Sequence, residues 1–314
     1  MSGQFEGTVV KTTGALHWVR TSENRIIPCT LKGRFRIRGK RTTNPVAVGD
    51  QVMLSLTGYE TTGVITILYP RKNYIIRKAT KLSRETHVLA ANVDQAMVMV
   101  TLKSPKTLSM FVDRLLVSAE AYNIPVILLF NKLDLYDRRE LEQLDEWRNA
   151  YLKAGYPSYP VSLKNKSGLE FLNEILREKL TVLVGNSGVG KTTLINFLEP
   201  DIQLKTAEIS DAHKGGKHTT TFPEMISLKN GGDLIDTPGI RGFGMVDIMK
   251  EELYHFFPEL FRYAAGCQYH NCTHTHEPGC AVKKAVDSGD IAGMRYRNYL
   301  NMMAEKGDKY RQGY

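Results

Sequence analysis

The sequence predicts a multidomain α/β protein in three parts: a five-stranded β-barrel of the OB type over residues 1–73, a doubly wound α/β domain over 74–250, and a small helical module over 251–314. Three observations predict it. Short β-rich runs broken by turn residues fill the first quarter of the chain, with no helical period among them. Long apolar runs then alternate with helical segments, as in a parallel sheet covered on both faces. After residue 250 a Cys/His cluster sits between short helical stretches.

In the first part, GTVVKTT, ALHWVRT, RIIPCTLKGRFRIRG, DQVMLSL and GVITILY are rich in Val, Ile, Thr and aromatics, with Gly, Asn and Pro between them. Five such strands make a compact closed barrel. Lys32, Arg34, Arg36, Arg38 and Lys40 alternate with Gly33, Phe35, Ile37 and Gly39. Period 2 puts the five cations on one strand face, a surface suited to a phosphate backbone. In the second part, QAMVMVTLK, PVILLFNKL and TVLVGNSG read as buried strands, and 108–123, 138–154 and 167–179 as helices. In the third, ELYHFFPELF and AVKKAVDSGDIAGMRYRNYLNMMAEK read as helices, and the tail DKYRQGY as frayed.

Composition narrows the function. The 314 residues carry 42 Lys+Arg against 33 Asp+Glu, a net charge of +9. Residues 1–73 hold 11 basic and 4 acidic side chains, residues 74–250 hold 23 and 21, and residues 251–314 hold 8 and 8. The excess therefore lies on the barrel, where a polyanion such as nucleic acid is the expected partner. No apolar run approaches the roughly 20 residues of a membrane span. The opening MSGQFEGTVV has no basic n-region or apolar core, and four cysteines make no disulfide framework. A reducing cytoplasm is the expected location, with no membrane partner.

The strongest motif is Gly185-Asn186-Ser187-Gly188-Val189-Gly190-Lys191-Thr192, a complete GxxxxGK[ST] phosphate loop between an apolar strand and the helical run TLINFL that opens at Thr193. Its backbone N–H groups and the helix N-terminus cradle phosphates. Lys191 reaches the β/γ-phosphates and the Thr192 hydroxyl ligates Mg²⁺. Asn131-Lys132-Leu133-Asp134 closes the strand VILLF. An Asp134 carboxylate accepts from both guanine N1–H and N2–H, donors that adenine lacks, while Asn131 holds the purine edge and the Lys132 stem covers the ring. Ser162-Leu163-Lys164 lines the guanine through its backbone. Asp236-Thr237-Pro238-Gly239 supplies a second Mg²⁺-side carboxylate, Asp236, and a γ-phosphate sensor, the Gly239 N–H. Among Thr219-Thr220-Thr221, Thr220 completes the Mg²⁺ shell.

The order of these elements is unusual. In a conventional Ras-like GTPase the phosphate loop comes first, whereas here residues 131–134 and 162–164 precede it and 236–239 comes last. Each keeps its usual strand or helix neighbour, so the second part reads as a circularly permuted Ras-like P-loop GTPase domain.

Permuted order, a preceding OB-like module, the run GKHTTT and a trailing Cys/His cluster together resemble the ribosome small subunit-dependent GTPase A (RsgA) family over roughly residues 3–300. The resemblance implies a cytoplasmic, monomeric GTPase that turns GTP into GDP and phosphate. It also implies binding to the 30S ribosomal subunit late in maturation, contact with 16S rRNA and stimulation by the subunit. Cys267-x4-Cys272-x-His274-x5-Cys280 is a complete Cys₃His set for one closed structural Zn²⁺. Its spacing is not that of paired CxxC fingers, but the resembling family has it. His270 and His276 are rival ligands by spacing alone and rank below His274.

Ile240 follows Gly239, where conventional enzymes carry a water-orienting Gln, so intrinsic turnover is expected to be slow. His218, beside the threonines, is the alternative water-positioning residue, as the resemblance also implies. Lys214, Lys217 and Arg241 are further loop cations near the reacting phosphate. Two other readings remain open on the sequence: an rRNA-binding scaffold with a silent nucleotide site, and a GTPase serving tRNA or a membrane.

Overall fold

A computed structural model describes residues 3–32, 45–56, 61–78, 86–202, 223–236, 248–305 and 309–310. In chain order the elements begin with β1 (Gly3–Thr13), β2 (Leu16–Thr21), β3 (Ile26–Leu31), β4 (Gln51–Leu56), β5 (Gly63–Leu68), β6 (Tyr74–Lys78), β7 (Thr86–Ala91) and β8 (Gln95–Val100). There follow α1 (Ser109–Ala121), β9 (Val126–Phe130), α2 (Arg138–Ala154), β10 (Ser158–Pro160), α3 (Leu172–Leu176), β11 (Leu180–Gly185) and α4 (Lys191–Leu198). The last are β12 (Glu224–Ser227), β13 (Asp233–Asp236), β14 (Ile248–Met249), α5 (Pro258–Ala264), α6 (Ala281–Asp287), α7 (Gly293–Ala304) and β15 (Lys309–Tyr310). They form two compact units, Met1–Ala96 with Leu172–Val184 and Ile195–Ile240, and Met97–Phe171 with Gly185–Leu194 and Arg241–Tyr314.

In the first unit the five expected strands close a ring. β1 pairs antiparallel with β2 and with β4, β2 with β3 and β4 with β5, while β3 and β5 run parallel. Alternation does the sorting: β2 buries every second residue, and Val9, Val19, Ile27, Cys29, Val52, Leu54 and Ile65 fill the interior. Gly63 is required there, since a Cβ would lie 2.9 Å from Cys29 Sγ. A hairpin of β6 and β7, not among the strands expected within 74–250, follows the barrel.

The same unit carries β11 and β13 in parallel and β12 antiparallel to β13. β12 also pairs with barrel strand β1 at Lys11 and Glu224, whose side chains form an ion pair at 3.0 Å. Arg20 of β2 grips Asp233 of β13 with two bonds of 2.7 and 2.6 Å. Bidentate geometry of this kind is the stronger form of the Arg–carboxylate contact.

In the second unit β8, β9 and β10 lie side by side, with β9 and β10 parallel and every β9 residue buried. α2 opens on a capping box, in which Asp137 accepts from Arg139 N and Glu140 N and Glu140 reaches back to Asp137 N. The helix expected over 167–179 is shorter than its apolar spacing suggests. Ser167 turns back to pair with Ser162, and Gly168, at φ +70°, takes a position where a Cβ would lie 2.6 Å from Pro160 O. The C-terminal part packs Leu253, Phe257, Leu260, Tyr299 and Met302 together with Val117 of α1. At its centre Arg295, wholly buried, bonds Asp113 at 2.6 Å and Glu259 at 2.7 and 3.1 Å. Within the tail expected to fray, Lys309–Tyr310 pair with Ile248–Met249.

Candidate functional site

Loops at the carboxyl ends of β8, β9 and β10 meet the phosphate loop within the second unit, and Asn131 is where they join. Its backbone N–H donates to Val100 O at 2.8 Å, continuing the strand pairing. Its side-chain Nδ2 donates to Val189 O at 2.8 Å, and its Oδ1 accepts from Leu163 N at 3.2 Å. One buried amide thus fixes the phosphate loop and the 162–164 segment against each other. Ser162 Oγ donates to Asp134 Oδ1 at 2.5 Å and accepts from Asn165 N, setting the carboxylate that the sequence assigns to guanine. Lys132 takes a left-handed backbone, φ +68°, and its Nζ donates to Ser104 O. Burial pulls the Lys132 ammonium below its ordinary range. Lys164 is exposed at the rim.

The phosphate loop shows why its glycines stand where they do. Gly188 and Gly190 have φ of +78° and +108°, and a Cβ on Gly190 would fall on Asn131 Nδ2. Val189 between them is buried, which anchors the loop while Asn186, Ser187 and Gly188 line its outer edge. Lys191 Nζ donates to Gly185 O at 2.6 Å and Asn186 O at 2.9 Å, curled over the loop that it would leave for a phosphate oxygen. α4 starts at Lys191, with Thr192 half-buried and Thr193 exposed in its first turn. A glycine-rich loop that offers backbone N–H groups and ends on a lysine and a threonine fits a triphosphate and its Mg²⁺.

Two features near the base loop escape a motif search. Tyr136 OH donates to Asn131 O at 2.7 Å and accepts from Leu102 N at 2.8 Å. Pro105 of the same segment stands 3.7 Å from where a Cβ of Gly188 would be. Only the apolar strand before residue 102 hinted at this segment.

In the first unit Asp236 ends β13, in register with Leu183 of β11, two residues before Gly185 in the chain. His218, Thr220 and Gly239 lie outside the described residues, as do Lys214, Lys217 and Arg241, and Arg34, Arg36, Arg38 and Lys40 of the cationic strand. Lys32, the first cation of that run, is exposed and donates its N–H to Ile65 O at 3.1 Å.

The cysteine cluster is assembled as the spacing suggests. One ligand atom from each of Cys267, Cys272, His274 and Cys280 lies within 4.8 Å of the others. Cys267 Sγ and Cys280 Sγ are 3.9 Å apart, and His274 Nδ1 is 3.5 and 3.6 Å from them. Zn–S bonds of about 2.3 Å and Zn–N of about 2.0 Å at tetrahedral angles require separations of this size. His274 is buried, whereas His270 and His276 are exposed, and it is a His274 ring nitrogen that lies with the three thiols. All four cysteines of the chain are free thiols, with Cys29 enclosed in the barrel.

A phosphate loop joined to NKxD and SLK elements that precede it in the chain defines a circularly permuted P-loop GTPase. The family description RsgA GTPase matches residues 68–246, and RsgA N-terminal domain matches residues 6–65. The small ribosomal subunit biogenesis GTPase RsgA 2 of Bacteroides thetaiotaomicron is 50% identical over 311 residues, covering 99% of this chain and 100% of that protein. The corresponding Christiangramia forsetii protein is 46% identical over 98% of both chains. Among solved structures, YjeQ from Thermotoga maritima superposes with a TM-score of 0.78 at 35% identity, over 96% of this chain and 98% of its own. YloQ, described as a circularly permuted GTPase, gives 0.73 at 28% identity over 96% and 94%. The chain belongs to the RsgA family of GTPases.

Proposed function

We propose that this chain hydrolyses GTP to GDP and phosphate as a switch for its residence on the 30S ribosomal subunit during late small-subunit maturation. The observation that carries the nucleotide assignment is the seating of Asn131, which binds Val189 O and Leu163 N at once. Asn131, Lys132 and Asp134, with Ser162, Leu163 and Lys164, receive guanine. Residues 185–193 receive the phosphates, with Lys191 on the β/γ oxygens. Thr192 and Asp236, together with Thr220, hold Mg²⁺, which neutralises charge on those oxygens during transfer. Gly239 senses the γ-phosphate and His218 positions the attacking water. Unchanged subunit-stimulated turnover of His218→Ala, with GTP binding intact, refutes that last role.

The division into a 1–73 barrel, a 74–250 GTPase domain and a 251–314 module gives each a task. The barrel, through Lys32, Arg34, Arg36, Arg38 and Lys40, meets 16S rRNA. Replacing Arg34, Arg36 and Arg38 with Ser is expected to weaken subunit binding and flatten its salt dependence while sparing GTP affinity. Zn²⁺ on Cys267, Cys272, His274 and Cys280 holds the C-terminal module in shape. Relatives named as small-subunit biogenesis GTPases support the ribosomal assignment. Among the described residues no helix is long and apolar enough to cross a membrane. The chain is proposed to work as a monomer in the cytoplasm.

Co-sedimentation of the full chain with 30S subunits, 50S subunits and tRNA, with a non-hydrolysable GTP analogue or GDP, tests the switch. Retention on 30S alone, stronger with the analogue, is expected. Equal retention in both nucleotide states contradicts it, and binding to tRNA instead moves the target elsewhere.

A further inference from the structure

We propose that Tyr136 is a positioning residue for guanine recognition, locking the 131–134 loop in the shape that discriminates among bases. The inference rests on reading that loop as the guanine site. Tyr136 is 9% exposed, and its hydroxyl uses its one proton and one lone pair unambiguously: it donates to Asn131 O and accepts from Leu102 N. Its own backbone N–H donates to Leu133 O at 3.2 Å. One residue thus ties the first and third members of the loop, with Asp134 adjoining.

The anchor at the other end is a closed segment. Thr107 N donates to Thr101 O at 2.8 Å, and Thr101 Oγ1 donates to Pro105 O at 2.6 Å. Lys132 reaches the same segment through Ser104 O, while its left-handed backbone is one that a lysine adopts only under constraint. Without the hydroxyl, Asn131 O and Leu102 N lose a buried partner, which leaves the peptide after Asn131 free to turn. The Asp134 carboxylate, which follows that peptide through a single turn of 3₁₀ helix at Leu133–Leu135, then loses its register on the base.

The perturbation is Tyr136→Phe, which keeps the ring, in the full chain. The readouts are dissociation constants for GDP, inosine diphosphate and ADP. Inosine lacks the 2-amino group that Asp134 reads, so the ratio of inosine diphosphate to GDP constants measures the carboxylate's placement. We expect GDP to bind about tenfold more weakly in the variant, the fold-change of one buried hydrogen bond. The inosine-to-guanosine ratio should fall toward one. Unchanged GDP affinity overturns the assignment, and so does uniform weakening with an unchanged ratio, which marks a merely structural tyrosine. Should wild type fail to prefer GDP over ADP, the guanine reading itself falls, a result distinct from either. Should the variant not fold, hydrogen exchange at the Leu102 amide of wild type decides: GDP is expected to slow it, and an indifferent rate overturns the proposal.

Discussion

Replacing Gly190 by alanine tests the join between phosphate loop and base loop. The residue sits at φ +108°, and its Cβ would fall on Asn131 Nδ2, the atom that donates to Val189 O. Two costs follow. The backbone conformation costs an alanine about 1–2 kcal/mol relative to glycine. The displaced Asn131 amide leaves Val189 O without its donor in a buried place, about 1–3 kcal/mol more. A combined loss of about 2–5 kcal/mol corresponds to roughly 30- to 4,000-fold weaker nucleotide binding. Gly188→Ala is the internal control, because its φ of +78° brings the strain alone, the new methyl meeting only Pro105 at 3.7 Å. Titration with a fluorescent GDP analogue should order the proteins as wild type, then Gly188→Ala, then Gly190→Ala. Alanine at 190 binding within threefold of wild type would refute the reasoning, since Asn131 would then not need its present place.

Other parts of the molecule carry predictions of their own. Arg295→Leu leaves the Asp113 and Glu259 carboxylates buried without their cation, so stability measured by urea denaturation should drop by about 3–5 kcal/mol; a loss below 1 kcal/mol would mean the triad is dispensable. His17 is wholly buried, and its two ring nitrogens have no partner among the described residues; burial holds its pKa below the ordinary 6.5, although the Asp50 charge opposes this and is itself paired with Arg71. The unfolded chain therefore takes the proton first, so stability from a neutral His17 is complete above about pH 6.5 and falls by up to about 1.4 kcal/mol per unit below it. Thermal melts at pH 7.5 and 5.5 should show that slope in wild type and a flatter one in His17→Phe; identical slopes would contradict it. Cys272→Ser should abolish stoichiometric zinc in metal analysis and loosen the packing of Phe257 and Tyr299 seen by near-ultraviolet circular dichroism, and retained zinc would exclude Cys272 as a ligand.

The local parts of this protein were legible in the sequence, because period and motif are local quantities. Strands at 7–13, 15–21, 50–56 and 63–69 follow from alternation, and the phosphate loop from its glycines and its flanking strand and helix. The Cys₃His cluster, with His274 ahead of His270 and His276, was legible as a set, and the same four side chains lie together in the fold. Long-range pairings were not legible. Nothing in ALHWVRT announces that Arg20 will grip Asp233, which is 213 positions away, nor does RYRNYL announce that Arg295 will be buried between two carboxylates. Tyr136 escaped for the same reason: its ring reads as core, and only the fold supplies Leu102 N to its hydroxyl. The shortened α3 shows propensity yielding to context, since apolar spacing over 167–179 favours a helix while the pairing of Ser162 with Ser167 closes its first turn off.

The proposed switch requires that the small subunit stimulate GTP hydrolysis by this chain. Phosphate release from GTP by the full chain, measured as purified 30S subunits are titrated in, tests this directly. Slow release alone, a saturable rise with 30S and no rise with 50S subunits are expected. A flat response to 30S, with GTP binding intact, would contradict it.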